Sequence, residues 1–309
     1  MKKIVLCGIQ EQGVEIIRFL YDNGIKITNI VTISEEVAKN NKSDDTWVDY
    51  GDISNELNIP IYHSKSYSFK HDDDERYFKE NNFDILLLGG WQRLIPQQIL
   101  STIKVCSIGQ HGSPEFLPSG RGRSPLNWSI ILGRKRMVWN LFKLNHGVDD
   151  GDIIDYQIFQ INESDTCKTL YYKVSVSVKH MLLRSIPKLL DGTIELSKQV
   201  GTPTYFNKRT PKDGEISWEN PISDTYNLIR GITKPYPGAF TMYGDTKIMV
   251  WKTQIWDEVL DFYKDNEYGE VVEIFNNDFV VKCYGGLLLV TDHDDTNLYK
   301  GKVYKNKKK

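Results

Sequence analysis

Three apolar runs in the first third of the chain each end on glycine: Ile4-Val5-Leu6-Cys7-Gly8, Phe83 to Leu88 followed by Gly89-Gly90, and Val105 to Ile108 followed by Gly109. The intervening sequence changes period. Val14, Ile17, Phe19 and Leu20 recur at helical spacing, Val48–Leu57 and Asp72–Glu80 read as helices, and Ile25–Val31 and Asn58–Tyr62 read as further strands. Strands alternating with helices at this interval imply βαβ units and a parallel sheet. Ligands bind such sheets beyond the carboxyl ends of the strands. Gly8, Gly89-Gly90 and Gly109-Gln110-His111 are therefore expected to converge on one crevice. The polar, acidic stretch Ser34–Thr46 reads as a mobile loop.

The pattern shifts in the second half. Leu126–Leu132 reads as a helix closed by Gly133. Met137–Leu144 and Ile153–Ile161 read as a hairpin around an acidic turn, and Thr166–Leu190 as a long amphipathic helix. Pro203–Gly214 has the composition of a linker. After a helix at Asp224–Ile232 come short strands at Phe240–Tyr243, Lys247–Thr253, Gly269–Ile274, Phe279–Cys283 and Leu287–Thr291, a spacing that suggests a small barrel or roll. The tail from Lys305 to Lys309 reads as disordered. The expected fold is α/β: a Rossmann-like, mostly parallel sheet with flanking helices over residues 1–205, then a smaller, mainly β domain over 206–309.

Composition narrows the function classes. A chain of 309 residues with 40% hydrophobic residues can bury a sizeable core, and a net charge of −2 offers no general attraction to nucleic acid or anionic membranes. The cysteines Cys7, Cys106, Cys167 and Cys283 form no CxxC pair, which argues against a zinc or redox motif and fits a reducing cytoplasm. The opening Met-Lys-Lys followed by Ile4–Ile9 is too short for a signal peptide, and no run approaches the ~20 apolar residues of a spanning helix. Gly8-Ile9-Gln10-Glu11-Gln12-Gly13 lacks the dinucleotide spacing, and no Walker sequence occurs, so NAD and a P-loop are excluded.

The densest chemistry runs from Gly109 to Pro125, with His111 ahead of a loop rich in Gly, Pro and Arg. It is followed by His146-Gly147-Val148-Asp149-Asp150-Gly151-Asp152. A histidine, a Gly-bounded acidic turn and the arginines Arg121 and Arg123 form a candidate acid–base site that can also bind anions. The acidic turn lacks the spacing and glutamate of a calcium loop, and no metal is expected.

These segments resemble the formyltetrahydrofolate-dependent formyltransferases, most closely the sugar N-formyltransferases, with a fold like that of methionyl-tRNA formyltransferase. The resemblance rests on His111-Gly112-Ser113, Leu117-Pro118, Arg121–Trp128, Gly147–Asp152, Phe206–Pro211 and Pro235–Phe240, in family order across nearly the whole chain. It implies 10-formyltetrahydrofolate as cosubstrate and His111 and Asp149 as the catalytic pair. The family's Asn-x-His motif places an asparagine where this chain has Gly109, and two residues are inserted after Ser113. The asparagine amide is the family's oxyanion donor; its place falls to Gln110 or to protonated His111 alone.

By resemblance, Trp91, Arg93, Leu94, Ile95, Val148 and Asp152 line the folate site. Ser113, Arg121, Gly122, Arg123 and Arg209 face the acceptor, with Arg123 and Arg209 toward its phosphates. Residues 231–309 carry 11 Lys and no Arg against 12 Asp plus Glu, a balance that argues against tRNA and favours a nucleotide-linked amino sugar or a nonulosonate, for glycan synthesis. The competing expectations are a methionyl-tRNA formyltransferase, a folate hydrolase, and a non-catalytic folate- or nucleotide-binding module. A homodimer is compatible with the aromatic C-terminal part (Trp251, Trp256).

Overall fold

The computed structural model describes residues 2–145 and 147–306. His146, flagged above, and Lys307–Lys309 of the tail lie outside the described residues. The chain divides into two units: Met1–Arg121, Val138–Ile158 and Lys173–Thr204 form the first, and Gly122–Met137, Phe159–Tyr172 and Tyr205–Lys309 the second. The last junction between them falls between Thr204 and Tyr205.

The first unit is built on alternating strands and helices: β1 (Ile4–Gly8), α1 (Glu11–Asp22), β2 (Asn29–Thr32), α2 (Glu35–Asn40), α3 (Gly51–Leu57), β3 (Ile61–His63), α4 (Asp72–Asn81), β4 (Ile85–Gly89), α5 (Gln97–Leu100) and β5 (Cys106–Ser113). The chain continues through β6 (Arg121–Gly122), α6 (Pro125–Ile131), β7 (Arg136–Lys143), β8 (Ile153–Gln160) and α7 (Cys167–Asp191). The sheet order is β3-β2-β1-β4-β5-β7-β8, parallel from β3 to β5 and antiparallel where β7 joins. In register, Gly8 lies opposite Gly89, so the glycine ends of β1 and β4 are adjacent as the pattern implied. The apolar runs are buried because helices cover the sheet. Val5, Cys7, Val31 and Leu86 pack with Phe78, Phe83 and Ile99 from the helical layer and its loops.

Two expectations for this unit are corrected. Ser34–Thr46 is not a mobile loop: it holds α2 and a single 3-10 turn at Asp44–Thr46. The Ser34 hydroxyl caps α2 by accepting from the Val37 N–H at 3.3 Å, Glu35 and Glu36 lie in the first turn, and Ala38 is buried in the core. The strand expected to stop at Ile108 runs on to Ser113, so Gly109, Gln110 and His111 are strand residues and not a loop past a strand end. Their polar, glycine-containing sequence hides this, because a second partner, β7, takes over the hydrogen bonding where the parallel ladder stops.

The second unit holds β9 (Tyr205–Phe206), α8 (Ile222–Ile232), β10 (Ala239–Tyr243), β11 (Thr246–Asp257), β12 (Val271–Phe275), β13 (Asp278–Cys283) and β14 (Gly286–His293). β10–β14 form one antiparallel sheet in the order β10-β11-β14-β13-β12. The tail closes it. Val303 bridges Glu270 beside β12, and Lys305 bridges Met242 of β10 through backbone bonds of 2.9 and 3.1 Å. Lys305 is thus ordered by pairing, contrary to the expectation of a disordered tail from that residue onward. Inside, Ile216, Trp218, Ile229, Val250, Phe279 and Leu288 make the core. Among the described residues no helix is long and apolar enough to cross a membrane.

Candidate active site

β5 changes partner along its length: Cys106–Ile108 pair with β4, and Ile108–Ser113 pair antiparallel with β7. Residues directly opposite in an antiparallel ladder share a face, and successive residues alternate between faces. His111 lies opposite Asn140, so both belong to one face; Gln110, opposite Leu141, projects from the other. The Gln110 amide is engaged there. Its Nε2 donates to Gln12 Oε1 at 3.1 Å and to the Leu88 carbonyl at 3.3 Å, and its Oε1 accepts from Trp139 Nε1 at 3.1 Å. Gly109 shares the His111 face, but that space is filled: a Cβ at 109 would come within 2.5 Å of Leu144 Cδ2 and 3.0 Å of Phe142 Cζ.

The structure brings His111 and Asp149 together. Nδ1 of His111 is 3.4 Å from Asp149 Oδ2, and Nε2 is 2.9 Å from the Gly120 carbonyl, with 9% of the histidine side chain and 19% of the aspartate side chain exposed. Both partners are hydrogen-bond acceptors, so a doubly protonated ring can donate to each at once. Asp149 adopts a left-handed backbone, φ 50°, in the turn after β7. Gly151 closes this turn against the Lys143 carbonyl, where a Cβ would overlap backbone. Ser113, expected at the acceptor, is fully buried; its hydroxyl donates to the Ser119 carbonyl at 2.6 Å and accepts from the Glu115 N–H at 3.3 Å. It ties down the segment carrying the two extra residues, and that segment ends in Gly120 on the imidazole.

The four residues expected at the acceptor from Arg121 onward separate. Arg121 is buried, and its guanidinium donates to Gln199 Oε1 from Nε at 3.2 Å and from Nη2 at 2.6 Å. Gly122, at φ 100°, lies so close to the Phe206 carbonyl that a Cβ would stand 2.6 Å from it. Arg123 is exposed and donates its N–H to Phe206 O at 3.1 Å. Phe206 stacks on Trp128 at 6.2 Å between centroids, Trp128 donates to the Asn207 carbonyl at 3.0 Å, and the Arg209 guanidinium lies 5.9 Å from the Trp128 ring. Partial burial holds the Arg209 guanidinium below the usual arginine range. Arg123 and Arg209 therefore belong to one aromatic platform in the second unit.

Residues 1–186 match the formyl transferase family, and residues 208–308 match the formyl transferase C-terminal domain. The chain belongs to the formyl transferase family. Over 257 residues it is 32% identical to the bifunctional polymyxin resistance protein ArnA of Wigglesworthia glossinidia brevipalpis, an alignment that covers 82% of this chain and 38% of that protein. The N-formyltransferase of Helicobacter canadensis, solved with folinic acid and dTDP-3-aminofucose, shares the fold with a TM-score of 0.69 at 18% identity, covering 95% of this chain and all of the other. A HypX variant from Aquifex aeolicus gives 0.66 at 14% identity over 96% of this chain and 45% of HypX. The chain thus spans less than half the length of ArnA and HypX.

In this member of the formyl transferase family the six residues expected around folate also divide. Trp91 and Ile95 are core residues; the Trp91 ring stacks on Phe69 at 4.5 Å, and its indole N–H is buried without an acceptor. Arg93 lies over the Tyr67 ring at 4.9 Å. Leu94 and Val148 are exposed apolar side chains, at 64% and 43%. Asp152 pairs with Lys198 at 2.8 Å.

Two site residues escaped the sequence reading. Asn140, 1% exposed, donates its Nδ2 to the His111 carbonyl at 3.3 Å and to Val138 O at 3.2 Å. Gln199 donates its Nε2 to the carbonyls of Asp149 and Gly151, both at 2.8 Å. No motif marks either one. Only the β5–β7 register reveals Asn140, and only the bridge between Ser197 and Ile153 of β8 brings Gln199 to the turn.

Proposed function

We propose that this chain transfers the formyl group of 10-formyltetrahydrofolate to the amine of a small amino sugar carried on a nucleotide. The His111–Asp149 pair carries the reading. It is an imidazole backed by a carboxylate 3.4 Å away, on the extended strand of a formyl transferase fold. An amine attacking a formyl carbon must shed a proton, and the carbonyl oxygen becomes an oxyanion. His111 accepts that proton and Asp149 compensates the charge the ring acquires; as the oxyanion collapses back to a carbonyl, the bond from the formyl carbon to folate N10 breaks and His111 passes the proton to the departing tetrahydrofolate nitrogen. Gly109 has no side chain and the Gln110 amide projects from the other face, so the oxyanion donor we assign is Nε2–H of protonated His111. The Gly120 carbonyl now bonded to Nε2 yields to the substrate.

The folate would lie against the exposed apolar side chains of Leu94 and Val148 and the loop holding the unpaired Trp91 indole N–H. A cavity of about 490 Å³ is lined by Leu100, Ile103, Lys104, Lys143, Leu144 and Asn145, and its lysines suit an anionic tail. Arg123 and Arg209, with Trp128 and Phe206 beside them, suit the phosphates and planar base of a nucleotide. The balance of 11 Lys against 12 acidic residues over 231–309 disfavours tRNA. The test is incubation with 10-formyltetrahydrofolate and a panel of acceptors: dTDP- and UDP-linked amino sugars including dTDP-3-aminofucose, a nonulosonate, and initiator methionyl-tRNA. Mass spectrometry should find an N-formylated nucleotide sugar. Formylated tRNA would overturn the acceptor, and folate binding without any formylated product would overturn the enzymatic reading.

A further inference from the structure

We infer that Gln199 and Arg121 are positioning residues that set the His111–Asp149 pair, an inference that rests on the formyl-transfer reading above. The contacts form a closed ring. His111 Nδ1 meets Asp149 Oδ2, and the Asp149 carbonyl accepts from Gln199 Nε2. Gln199 Oε1 accepts twice from the Arg121 guanidinium, and Arg121 is bonded in sequence to Gly120, whose carbonyl returns to His111 Nε2. Both nitrogens of the imidazole are thereby tied to the same set of groups.

Each link has a physical reason. Asp149 holds a left-handed backbone, a region uncommon for L-residues though more open to aspartate than to most. The Gln199 amide braces it, reaching the carbonyls on either side of Asp150 at 2.8 Å each. An amide can be turned end for end, and the wrong end would set oxygen against two carbonyls. The Arg121 fork, nearly buried, fixes the choice by giving two charge-assisted N–H bonds to Oε1. The backbone on both sides is anchored as well. Gly120 N–H donates to Thr204 Oγ1 at 2.8 Å, Arg121 N–H donates to Thr204 O at 2.9 Å, and Ser197 exchanges backbone bonds of 2.8 and 2.9 Å with Ile153. Lys198 adds its bond to Asp152. The segment 197–199 is thus stitched to 151–153, immediately after the acidic turn. Arg121 stands two residues from Arg123, which is assigned above to the nucleotide phosphates, yet its guanidinium turns to a neutral amide that orients the catalytic turn.

The test uses the full chain with 15N-labelled histidine and the variants Gln199→Met, Arg121→Lys and Asp149→Asn. Gln199→Met keeps volume but donates nothing, and lysine is a point charge without the fork. In the folded apo-protein, the His111 ring-nitrogen signals of Gln199→Met and Arg121→Lys should move in the direction seen for Asp149→Asn, with the other histidines unmoved. With 10-formyltetrahydrofolate and dTDP-3-aminofucose, or the acceptor the panel selects, kcat should fall about 10–100-fold while KM for the acceptor stays within about twofold, as expected for misplacement of a reacting group. His111 signals that match the parent protein in both variants would overturn the inference. So would an Arg121→Lys variant that raises acceptor KM at unchanged kcat, because Arg121 would then be an anion contact. If no acceptor is formylated, the functional reading fails, and the ring-nitrogen measurement still decides the clamp.

Discussion

Each unit holds one acid–base pair away from bulk water, and the two are built to opposite ends. In the C-terminal sheet Lys302 donates to Asp295 at 2.6 Å, both side chains 2% exposed, with Tyr304 also donating to Asp295 and the ammonium 4.4 Å from the Tyr243 ring centroid. Asn297 supplies a further N–H to the carboxylate and a carbonyl to the ammonium. Both charged groups are engaged by several protein partners, so the pair fastens the closing segment 301–305 to the sheet. His111 and Asp149 stand farther apart, at 3.4 Å, and the second ring nitrogen meets one backbone carbonyl, that of Gly120, rather than a charged side chain. A saturated charge pair is structure, whereas a pair whose outer contact is exchangeable can do chemistry. The sharpest way to break the comparison is His111→Asn or Asp149→Asn. Either should lower turnover by ~10²–10⁴ with little change in melting temperature, measured by kinetics and calorimetry on the same samples.

The sealed pair should respond the other way. Lys302→Met strands a buried carboxylate and should cost about 3–5 kcal/mol of stability, read in calorimetric melts, while the surviving folded protein keeps its turnover. A melt unchanged by Lys302→Met would end its role as a fastener. The pH dependence sharpens the same point. Burial pushes the Asp295 carboxyl up, but hydrogen bonds from Lys302, Tyr304 and Asn297 outweigh it and hold the carboxyl below the ordinary aspartate range. A depressed folded value stabilises above the unfolded value and is lost as pH falls through the folded one. The contribution should therefore persist down to about pH 4, near the unfolded aspartate value, and disappear only under stronger acid. Acid titration followed by near-ultraviolet circular dichroism, parent against Asp295→Asn, reads this window.

Gly109 offers a smaller effect with a clear sign. Restoring the family asparagine by Gly109→Asn would drive a Cβ into Leu144 and Phe142, an overpacking cost of about 1–3 kcal/mol. It should lower the melting temperature without raising turnover. Adding Phe142→Ala should recover part of the stability, and a gain in turnover in that double variant would show that the amide was missing from the mechanism.

What could be read from sequence follows from how local each signal is. The β1 and β4 glycines, His111 and Asp149 were legible because strand ends and a Gly-bounded acidic turn are encoded within a few residues. β5 was truncated at Ile108 because Gly-Gln-His-Gly has little strand character of its own, and β7 supplies the pairing. For Trp91 and Ile95 the sequence does not separate ligand contact from core packing, because an apolar residue after a buried strand suits both; both side chains pack in the core, where the Trp91 indole N–H has no acceptor. Asn140 and Gln199 were illegible for a different reason: their roles depend on cross-strand register and amide orientation, which exist only once the chain has folded.

Gln110→Ala gives the smallest expected effect and the most direct test of how the site manages without the family asparagine. The sequence makes glutamine an attractive substitute, since it carries the same amide one residue from the expected place. Strand alternation argues against it: the side chain leaves β5 on the face opposite His111 and is held by Gln12, Leu88 and Trp139. Truncation should therefore change turnover by no more than about threefold, against the roughly 10²–10³ expected for loss of an oxyanion donor. It should cost a modest amount of stability, because Trp139 Nε1 loses its acceptor. A hundredfold loss at unchanged stability would instead mean that β5 twists to present Gln110 to the formyl group. The open pair would then resemble the sealed one more closely, with a side-chain donor already in place and His111 left to move protons alone.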